Sequence, residues 1–193
     1  MPATRPHLDR DAKRRQILDA AEELLLRDGY EATAMAAIAR RAGVANAAVY
    51  WYFPSKDDVL AAVLKRRQER ALATAPDAGT TSLDERVIAM LEQLDEVANL
   101  TAAVHERASH SAAVAEVHRG FHAAAEGFLQ TEFRAAGLNA GDARRATAVI
   151  MAVVEGIHLH ERERDPAARN ALVLWTLHRL LAAAAPKDSP ARS

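Results

Sequence analysis

Apolar residues recur every three or four positions along most of this 193-residue chain, which is the period of an amphipathic α-helix. Gly29 is placed to end the first such helix, because glycine readily adopts the left-handed conformation of a helix C-cap. The stripe of that helix follows Arg10 and comprises Ile17, Ala20, Ala21, Leu24 and Leu25. No segment alternates with the period of two that marks a half-buried β-strand. The pattern therefore predicts an all-α fold of about nine helices.

Two short helices are predicted next. Thr33 is a suitable N-cap for the first of them, and Gly43 would end it. Its buried stripe comprises Met35, Ile38, Ala39 and Ala42. Asn46 is placed to cap the second helix. That helix would stop before Pro54, because the residue before a proline is pushed out of the helical region.

Serine-based capping boxes open the next two predicted helices. Ser55 with Asp58 resembles a capping box and begins a fourth helix that reaches about residue 73. Residues 75–81 form a predicted loop, and Ser82 with Glu85 begins a fifth helix that reaches about residue 97. The other helices are predicted over residues 101–108, between Ser111 and Gly137, over residues 140–162, and from Asp165-Pro166 onward. The helix after Ser111 has its apolar stripe at Val114, Val117, Phe121, Ala124 and Phe128.

Composition narrows the class of protein. Half of the residues are apolar and 26% are charged, as in ordinary globular proteins. The absence of cysteine excludes disulfides, thiolate metal sites and cysteine nucleophiles. A polar N-terminal segment and the lack of any long apolar run lead us to expect a cytoplasmic protein. Residues 1–70 carry a basic surplus and the rest an acidic one, which suits a nucleic-acid module joined to a domain with another task.

Residues 35–54 have the spacing of a helix-turn-helix. Ala39 is small enough for a second helix to cross close above it, and Gly43 permits the sharp turn. The contacts that would lock the two helices together come from Ile38, Ala42, Val44 and Val49. An ordinary helical hairpin is the alternative explanation of this spacing.

An aromatic block follows the turn and favours DNA binding. We expect Val49 and Phe53, four residues apart, to point into the core. Tyr50, Trp51 and Tyr52 would then point partly outward. Tyrosine hydroxyls donate well to phosphate oxygens, and an indole can lie along a sugar edge or against a thymine methyl group. Alternatively, the aromatic rings form a cluster that braces the fourth helix.

Several motifs together are typical of one family. They are Arg15-Gln16-Ile17-Leu18-Asp19-Ala20-Ala21, Asp28-Gly29-Tyr30, Ile38-Ala39, Ala42-Gly43-Val44 and Val49-Tyr50-Trp51-Tyr52-Phe53-Pro54-Ser55-Lys56. With them, residues 14–60 resemble the DNA-binding domain of TetR-family regulators. The resemblance implies a homodimer whose two recognition helices enter successive major grooves of a near-palindromic operator. It also implies a divergent C-terminal domain that binds a small molecule and releases the DNA, usually in a repressor.

The resemblance assigns roles by position. It implies a phosphate contact from Thr33, base contacts from Asn46, Ala47 and Ala48, and backbone contacts from Tyr50, Trp51, Tyr52 and Lys56. The chain departs from the usual pattern at Ala45, often a serine, and at Ala47, often glycine or proline. Asn46 would therefore either pair with adenine or only cap its helix. Selectivity is expected to depend on methyl contacts or DNA shape.

Two groups of basic residues flank the motif. The first group, which would reach phosphates or an adjacent minor groove, comprises Arg10, Lys13, Arg14 and Arg15. The second, expected to be a solvated face of the fourth helix, comprises Lys65, Arg66, Arg67 and Arg70. The predicted organisation is a disordered arm (1–9), a DNA-binding domain (10–56) with a connecting helix (55–73), a ligand-binding and dimerisation domain (74–185), and a disordered tail (186–193).

The last two predicted helices suit a dimer interface. The final helix is apolar nearly all round, which a small domain cannot bury within one chain. A mid-helix glycine, Gly156, costs about 1 kcal/mol against alanine, which a close helix approach would explain. The predicted interface comprises Val149, Val153, Gly156, Ile157, Leu174, Leu177 and Leu181. The alternative is that both helices only form the core of one chain.

An effector pocket is expected among the fifth to seventh helices. Its predicted lining is Leu91, Leu94, His118, Phe121, His122, Ala125, Phe128 and Leu129. Candidate anchors for a charged effector are Arg107, Arg119 and Glu155. His118 and His122 have a spacing that can bind a metal, but no carboxylate completes a known motif, so no metal or cofactor is predicted. The alternatives are a metal- or ligand-binding protein without a DNA role and a small enzyme, for which no catalytic arrangement is visible.

Overall fold

A computed structural model of the chain describes residues 5–74, 79–160 and 165–184, with the side chains of residues 10–74, 79–160 and 165–183. Over these ranges the backbone forms nine α-helices and no β-strand, so the predicted all-α fold is confirmed. The helices are α1 (Arg5–Ala32), α2 (Met35–Arg41), α3 (Asn46–Tyr52), α4 (Lys56–Ala73), α5 (Leu83–Asp95), α6 (Thr101–Ala108), α7 (Ala112–Ala135), α8 (Ala140–His160) and α9 (Pro166–Ala184), with a 3-10 turn at Ala98–Leu100. None of the helices described is long and apolar enough to cross a membrane.

The chain folds into two compact units. The described residues up to 74 form the first unit together with residues 96–120, and residues 79–95 form the second with the described residues from 121 onward. The predicted domain boundary at residue 74 does not coincide with this division. The reason is that Leu100 and Val114 are fully buried in the core of the N-terminal helices. In addition, the Asn99 amide donates to the carbonyl oxygens of Leu25 and Leu26, at 3.1 and 2.7 Å.

The first helix begins earlier than predicted. Residues 5–9 belong to α1, so the prediction of a disordered arm over residues 1–9 is wrong for this part. Pro6 does not prevent this, because a proline in the first helical turn has no hydrogen bond to lose. Gly29 has a φ of 83° and interrupts α1, as its predicted place at a helix end requires. The described residues do not include residues 1–4 or the predicted tail. They also do not include residues 161–162, the predicted end of the eighth helix.

The predicted caps divide into two that are confirmed and two that are wrong. The Oγ of Ser55 accepts from the Asp58 N–H at 3.2 Å, and the Glu85 carboxylate accepts from the Ser82 N–H at 2.8 Å. Thr33 and Asn46 cap nothing. The N-caps of α2 and α3 are Ala34 and Ala45, both in extended backbone conformation and without a side-chain cap bond.

An ionic network ties α4 to α1 in the first unit. The basic residues of α4 that were expected to be solvated are Lys65, Arg66, Arg67 and Arg70. For Arg66 and Arg67 this is wrong, because their side chains are only 16% and 18% exposed. Both donate to the Glu22 carboxylate of α1, and Arg67 also pairs with Glu96. Burial raises the pKa of Glu22, but the hydrogen bonds from Arg67 and Arg66 outweigh it and lower that pKa.

The second unit has its own core between α5 and helices α7 to α9. Its largest fully buried side chains are Leu91, Leu129, Phe133, Ile150 and Leu177. The predicted stripe of α7 is wrong at Ala124, which is exposed, whereas Phe128 is half-buried and packs against this core. The buried positions of this part of the helix are Ala125, Leu129 and Phe133. Gly137, with a φ of 96°, follows α7 as predicted. The Asp95 carboxylate at the end of α5 accepts from Arg169 of α9 at 2.7 Å.

Candidate nucleic-acid interface

Helices α2 and α3 form the predicted helix-turn-helix. Gly43 sits in the turn with a φ of 62°, a conformation that disfavours residues with a Cβ atom. The Val44 N–H reaches back to the Ala39 carbonyl oxygen at 3.0 Å and fixes the turn. Ile38 and Val49 are fully buried, and Ala39 is 3% exposed. The predicted contacts between the two helices therefore form, and α3 has a fixed orientation on the first unit.

The aromatic block of α3 divides into a buried and an exposed side. Val49 and Phe53 are 0% and 3% exposed, whereas Tyr50 and Trp51 are 48% and 63% exposed. Tyr52 is half-buried, and its ring meets Trp51 edge to face at a centroid distance of 4.7 Å. The prediction of inward Val49 and Phe53 and outward Tyr50 and Trp51 is confirmed. Two large amphipathic rings thus remain available to a partner on a helix of seven residues.

Two arginines of α1 lie over the aromatic rings. The guanidinium carbon of Arg10 is 4.7 Å from the centroid of the Trp51 ring. One helical turn later, Arg14 is 5.1 Å from the centroid of Phe53. Both arginines are exposed. Positive charge therefore accompanies the exposed aromatic face of α3, as a surface that meets phosphate groups needs.

Two residues that were predicted to contact DNA are engaged within the protein. Thr33 is 2% exposed, and its hydroxyl donates to the Gly29 carbonyl oxygen at 2.7 Å. The Lys56 ammonium donates to the Tyr30 carbonyl oxygen at 2.9 Å and lies 3.9 Å from the centroid of the Tyr30 ring. The Thr33 hydroxyl could donate to a phosphate only by breaking its bond, and Lys56 already uses one of its three N–H donors on Tyr30. We therefore do not carry Thr33 and Lys56 into the proposed interface.

The start of α3 offers few polar groups to bases. Asn46 and Ala47 are exposed, and Ala48 is half-buried. Because Ala45 is the N-cap, the Asn46 side chain makes no cap bond, and its alternative role as a helix cap is wrong. The amide of Asn46 is the group here that would pair with adenine.

A buried ionic contact that the sequence pattern did not reveal fixes the start of α4. The Asp57 carboxylate accepts two hydrogen bonds from Arg107 of α6, at 3.0 and 2.7 Å, and one from the Tyr30 hydroxyl. The hydrogen bonds from Arg107 hold the pKa of Asp57 below its usual range, and burial raises the pKa of Tyr30. Arg107 is thus occupied, so its predicted role as an effector anchor is not supported. No periodicity in sequence signals this contact, because its partners are 50 positions apart.

The predicted pocket residues do not all belong to one unit. His118 lies in the first unit, where its ring meets His105 at 4.8 Å, and the other seven lie in the second. Leu91, Leu129 and Ala125 are buried in the core of the second unit. Of those in the second unit, the half-buried residues are Leu94, Phe121, His122 and Phe128. His122 faces the Glu155 carboxylate at 3.2 Å.

The predicted dimer residues also divide. Ile157 and Leu177 are 5% and 1% exposed and belong to the core of their own chain. Val149 is 44% exposed, and the remaining four, Val153, Gly156, Leu174 and Leu181, are half-buried. The sequence prediction missed Leu172 and Trp175, which are 39% and 57% exposed on α9. Their spacing of three residues in an apolar helix was the signal for a shared exposed face.

Known proteins share both the interface and the fold. Residues 17–63 match the family described as bacterial regulatory proteins, tetR family. Over 81 residues the chain is 43% identical to the HTH-type transcriptional regulator SrpR of Pseudomonas putida. The match covers 41% of this chain and 38% of that protein. Over 58 residues the chain is 48% identical to the HTH-type transcriptional repressor KstR of Rhodococcus jostii, which covers 30% of this chain and 27% of that protein. The matched segments thus span less than half of these relatives.

The likeness extends to the whole fold in solved structures. One of them is a putative transcriptional regulator from Saccharomonospora viridis in complex with choline. It has a TM-score of 0.70 and 19% identity, and the match covers 87% of this chain and 96% of that one. At this identity the comparison establishes the fold alone. The two relatives are named as transcriptional regulators rather than enzymes, in agreement with the prediction that this chain is not an enzyme.

Proposed function

The chain belongs to the TetR family of bacterial regulatory proteins, and on that premise we propose that it is a homodimeric transcriptional repressor. In this proposal α3 enters the major groove of a near-palindromic operator, and a small molecule bound by the second unit releases the DNA. Binding to chromosomal DNA would place the protein in the cytoplasm.

One observation carries the DNA-binding proposal. Tyr50 and Trp51 are exposed on a helix whose orientation is fixed by the fully buried Val49 and by Gly43. Burying both rings in a core would have stabilised the fold, so their exposure favours a partner surface. Arg10 over the Trp51 ring and Arg14 over the neighbouring Phe53 ring make a polyanion the suitable partner. The family match covers this segment and supports duplex DNA as that polyanion.

The experiment that tests this proposal is binding to the promoter region of the protein's own gene. Purified full chain is titrated into labelled duplex, and binding is compared between the wild type and Tyr50→Ala. Because Tyr50 is 48% exposed, the variant should keep the wild-type unfolding temperature. We expect it to lose at least tenfold in affinity, because it loses a phosphate contact and a large contact area. Equal affinity of both proteins for the duplex would contradict the proposed role of this face.

The second unit supports the dimer part of the proposal. Val149 on α8 and Leu172 and Trp175 on α9 are large apolar side chains that this chain leaves exposed. Large apolar side chains exposed on two packed helices favour a protein interface there. Two-fold pairing of α8 and α9 would give the dimer two copies of α3, the number that a near-palindromic site requires. A molar mass of two chains in sedimentation equilibrium is the expected result.

An effector is the least specified part of the proposal. The structure from Saccharomonospora viridis holds choline, so a protein of this fold takes a small molecule. In this chain the half-buried Leu94, Phe121 and Phe128 would line such a site. A panel of small molecules, screened for release of the promoter duplex, tests this part. The effector must bind the DNA-free conformation more tightly, because equal affinity for both conformations shifts nothing.

A further inference from the structure

The exposed face of α3 is apolar where base edges would meet it. Ala47 and Trp51 lie four residues apart, which places them on one face of the helix. Ala47 is exposed, and Trp51 is 63% exposed. Ala47 has no polar side-chain atom, and Trp51 has a single donor, its indole N–H, so most of this face is apolar. The feature that an apolar surface does distinguish in the major groove is the 5-methyl group of thymine.

Trp51 is held in place despite its exposure. The edge of the neighbouring Tyr52 ring contacts it at a centroid distance of 4.7 Å and an interplanar angle of 87°. The guanidinium group of Arg10, which comes from α1, lies over the ring at 4.7 Å from the centroid. A side chain that is ordered before binding loses less conformational freedom on binding. The indole therefore has the fixed position that discrimination by a single methyl group requires.

Arg10 can serve two purposes at once. Its planar guanidinium lies over the indole, and its five N–H groups lie around the rim of that plane. Arg10 itself is exposed, so these groups can reach a phosphate oxygen beside the groove. A lysine would supply the charge but not the flat stacking surface.

We propose that Trp51 selects thymine through its 5-methyl group and that Arg10 is the positioning residue that holds the indole and neutralises a neighbouring phosphate. The inference rests on the proposed function, because it assumes that α3 lies in the major groove. It assigns Trp51 to base reading rather than to the DNA backbone alone. It also adds a residue of α1 to the residues that determine specificity.

The experiment removes single methyl groups from the DNA. A duplex is first selected from a random library by the purified full chain, and each thymine is then replaced by deoxyuridine, which differs only by lacking the 5-methyl group. For the wild type we expect at least one replacement in each half-site to weaken binding about three- to fivefold, the value of one buried methyl group. Trp51→Ala should bind the thymine and uracil duplexes equally, and Trp51→Phe should discriminate less than the wild type.

The role of Arg10 is tested with Arg10→Gln, and Arg15→Gln is the matched control, since Arg15 is an exposed arginine of the same helix. Both variants lose one charge, so a lower overall affinity does not separate them. We expect Arg10→Gln to reduce the thymine-to-uracil affinity ratio and to lower the slope of log Kd against log salt by about one. Arg15→Gln should keep the wild-type affinity ratio.

The outcomes separate this inference from the proposed function. If no sequence is enriched from the library, both are wrong. If a sequence is enriched but the wild type binds every uracil duplex as tightly as the selected thymine duplex, only the proposed role of Trp51 is wrong. If Trp51→Ala loses discrimination while Arg10→Gln keeps the full affinity ratio, the positioning role of Arg10 is wrong. Thermal unfolding of each variant confirms that the chain is folded in every comparison.

Discussion

Adding one methyl group at Gly156 should have opposite effects depending on whether this position lies on a monomer surface or in a dimer interface. Gly156 lies inside α8, where glycine costs about 1 kcal/mol relative to alanine. Among the residues that the structure describes, none explains that cost by close packing, because a Cβ atom built at Gly156 meets no heavy atom of theirs within 4 Å. Gly127, inside α7, has the same surroundings by this measure. If the chain acted alone, Gly156→Ala and Gly127→Ala would both stabilise it.

The proposed dimer changes the expectation for Gly156 only. In a two-fold interface the added methyl group occurs twice and displaces packed atoms of the partner, at a cost of about 1–3 kcal/mol. Since about 1.4 kcal/mol corresponds to a factor of ten, the dimer Kd should rise about tenfold or more. Gly127→Ala should leave the Kd unchanged and raise the free energy of unfolding by about 0.5–1 kcal/mol.

Sedimentation equilibrium over a range of protein concentrations measures the Kd, and urea unfolding measures the stability. The comparison between the two variants is the decisive quantity, because both replace a helical glycine by alanine in the same unit. The reasoning is refuted if Gly156→Ala stabilises the protein as much as Gly127→Ala does and leaves the dimer Kd at the wild-type value.

Three further predictions follow from named contacts. Gly43→Ala should destabilise the first unit by about 1–2 kcal/mol, because its φ of 62° is left-handed, and Gly43→Asn should cost less; equal urea midpoints for the two variants would contradict this. Lys56→Met should lower the free energy of unfolding by about 1 kcal/mol, because it loses the bond to the Tyr30 carbonyl oxygen. Its slope of log Kd for DNA against log salt should equal that of the wild type. A slope lowered by about one would instead show that Lys56 contacts phosphate. The pKa of Asp57 is lowered in the folded state, chiefly by the hydrogen bonds from Arg107. The Asp57 carboxylate therefore stabilises the fold fully above its unfolded-state pKa of about 3.9. That stabilisation is lost as the pH falls through the lower folded-state pKa. In urea unfolding followed from pH 7 downward, Asp57→Asn should therefore be less stable than the wild type at neutral pH and lose less stability on acidification, and parallel curves for both proteins would contradict this account.

Local features of the fold could be predicted from the sequence. The turn at Gly43 and the inward direction of Val49 and Phe53 follow from residue type and helical spacing, and both are found. The serine caps at Ser55 and Ser82 are equally local, because each bond spans three residues. These features depend on neighbours in sequence, so a single chain is sufficient to identify them.

Contacts between distant segments could not be predicted in this way. The position of Arg10 over Trp51 and the bonds from Arg107 to Asp57 depend on which helix faces meet after packing. Periodicity identifies an apolar face, but it does not reveal which helix covers that face. For the same reason Lys56 looked like a free cation in the sequence, although the ring and carbonyl oxygen of Tyr30 occupy it.

The exposed residues at the start of α3 show a second limit. A small shift of the helix start decided the role of Asn46, because Ala45 is the N-cap and leaves the asparagine side chain without a cap bond. Helix ends cannot be located to one residue from propensity alone. The sequence therefore left Asn46 between capping and base reading, and the backbone position of Ala45 removed the first of these roles.

The central claim is that α3 reads a specific DNA sequence as one half of a dimer. Selection from a random duplex library with the purified full chain tests it most directly, followed by measurement of the number of chains on each selected duplex. The account predicts enrichment of a near-palindrome whose half-sites lie about one helical turn, or a multiple of it, apart, bound by an even number of chains. A library that remains random after selection, or a single chain bound to an asymmetric site, would contradict it.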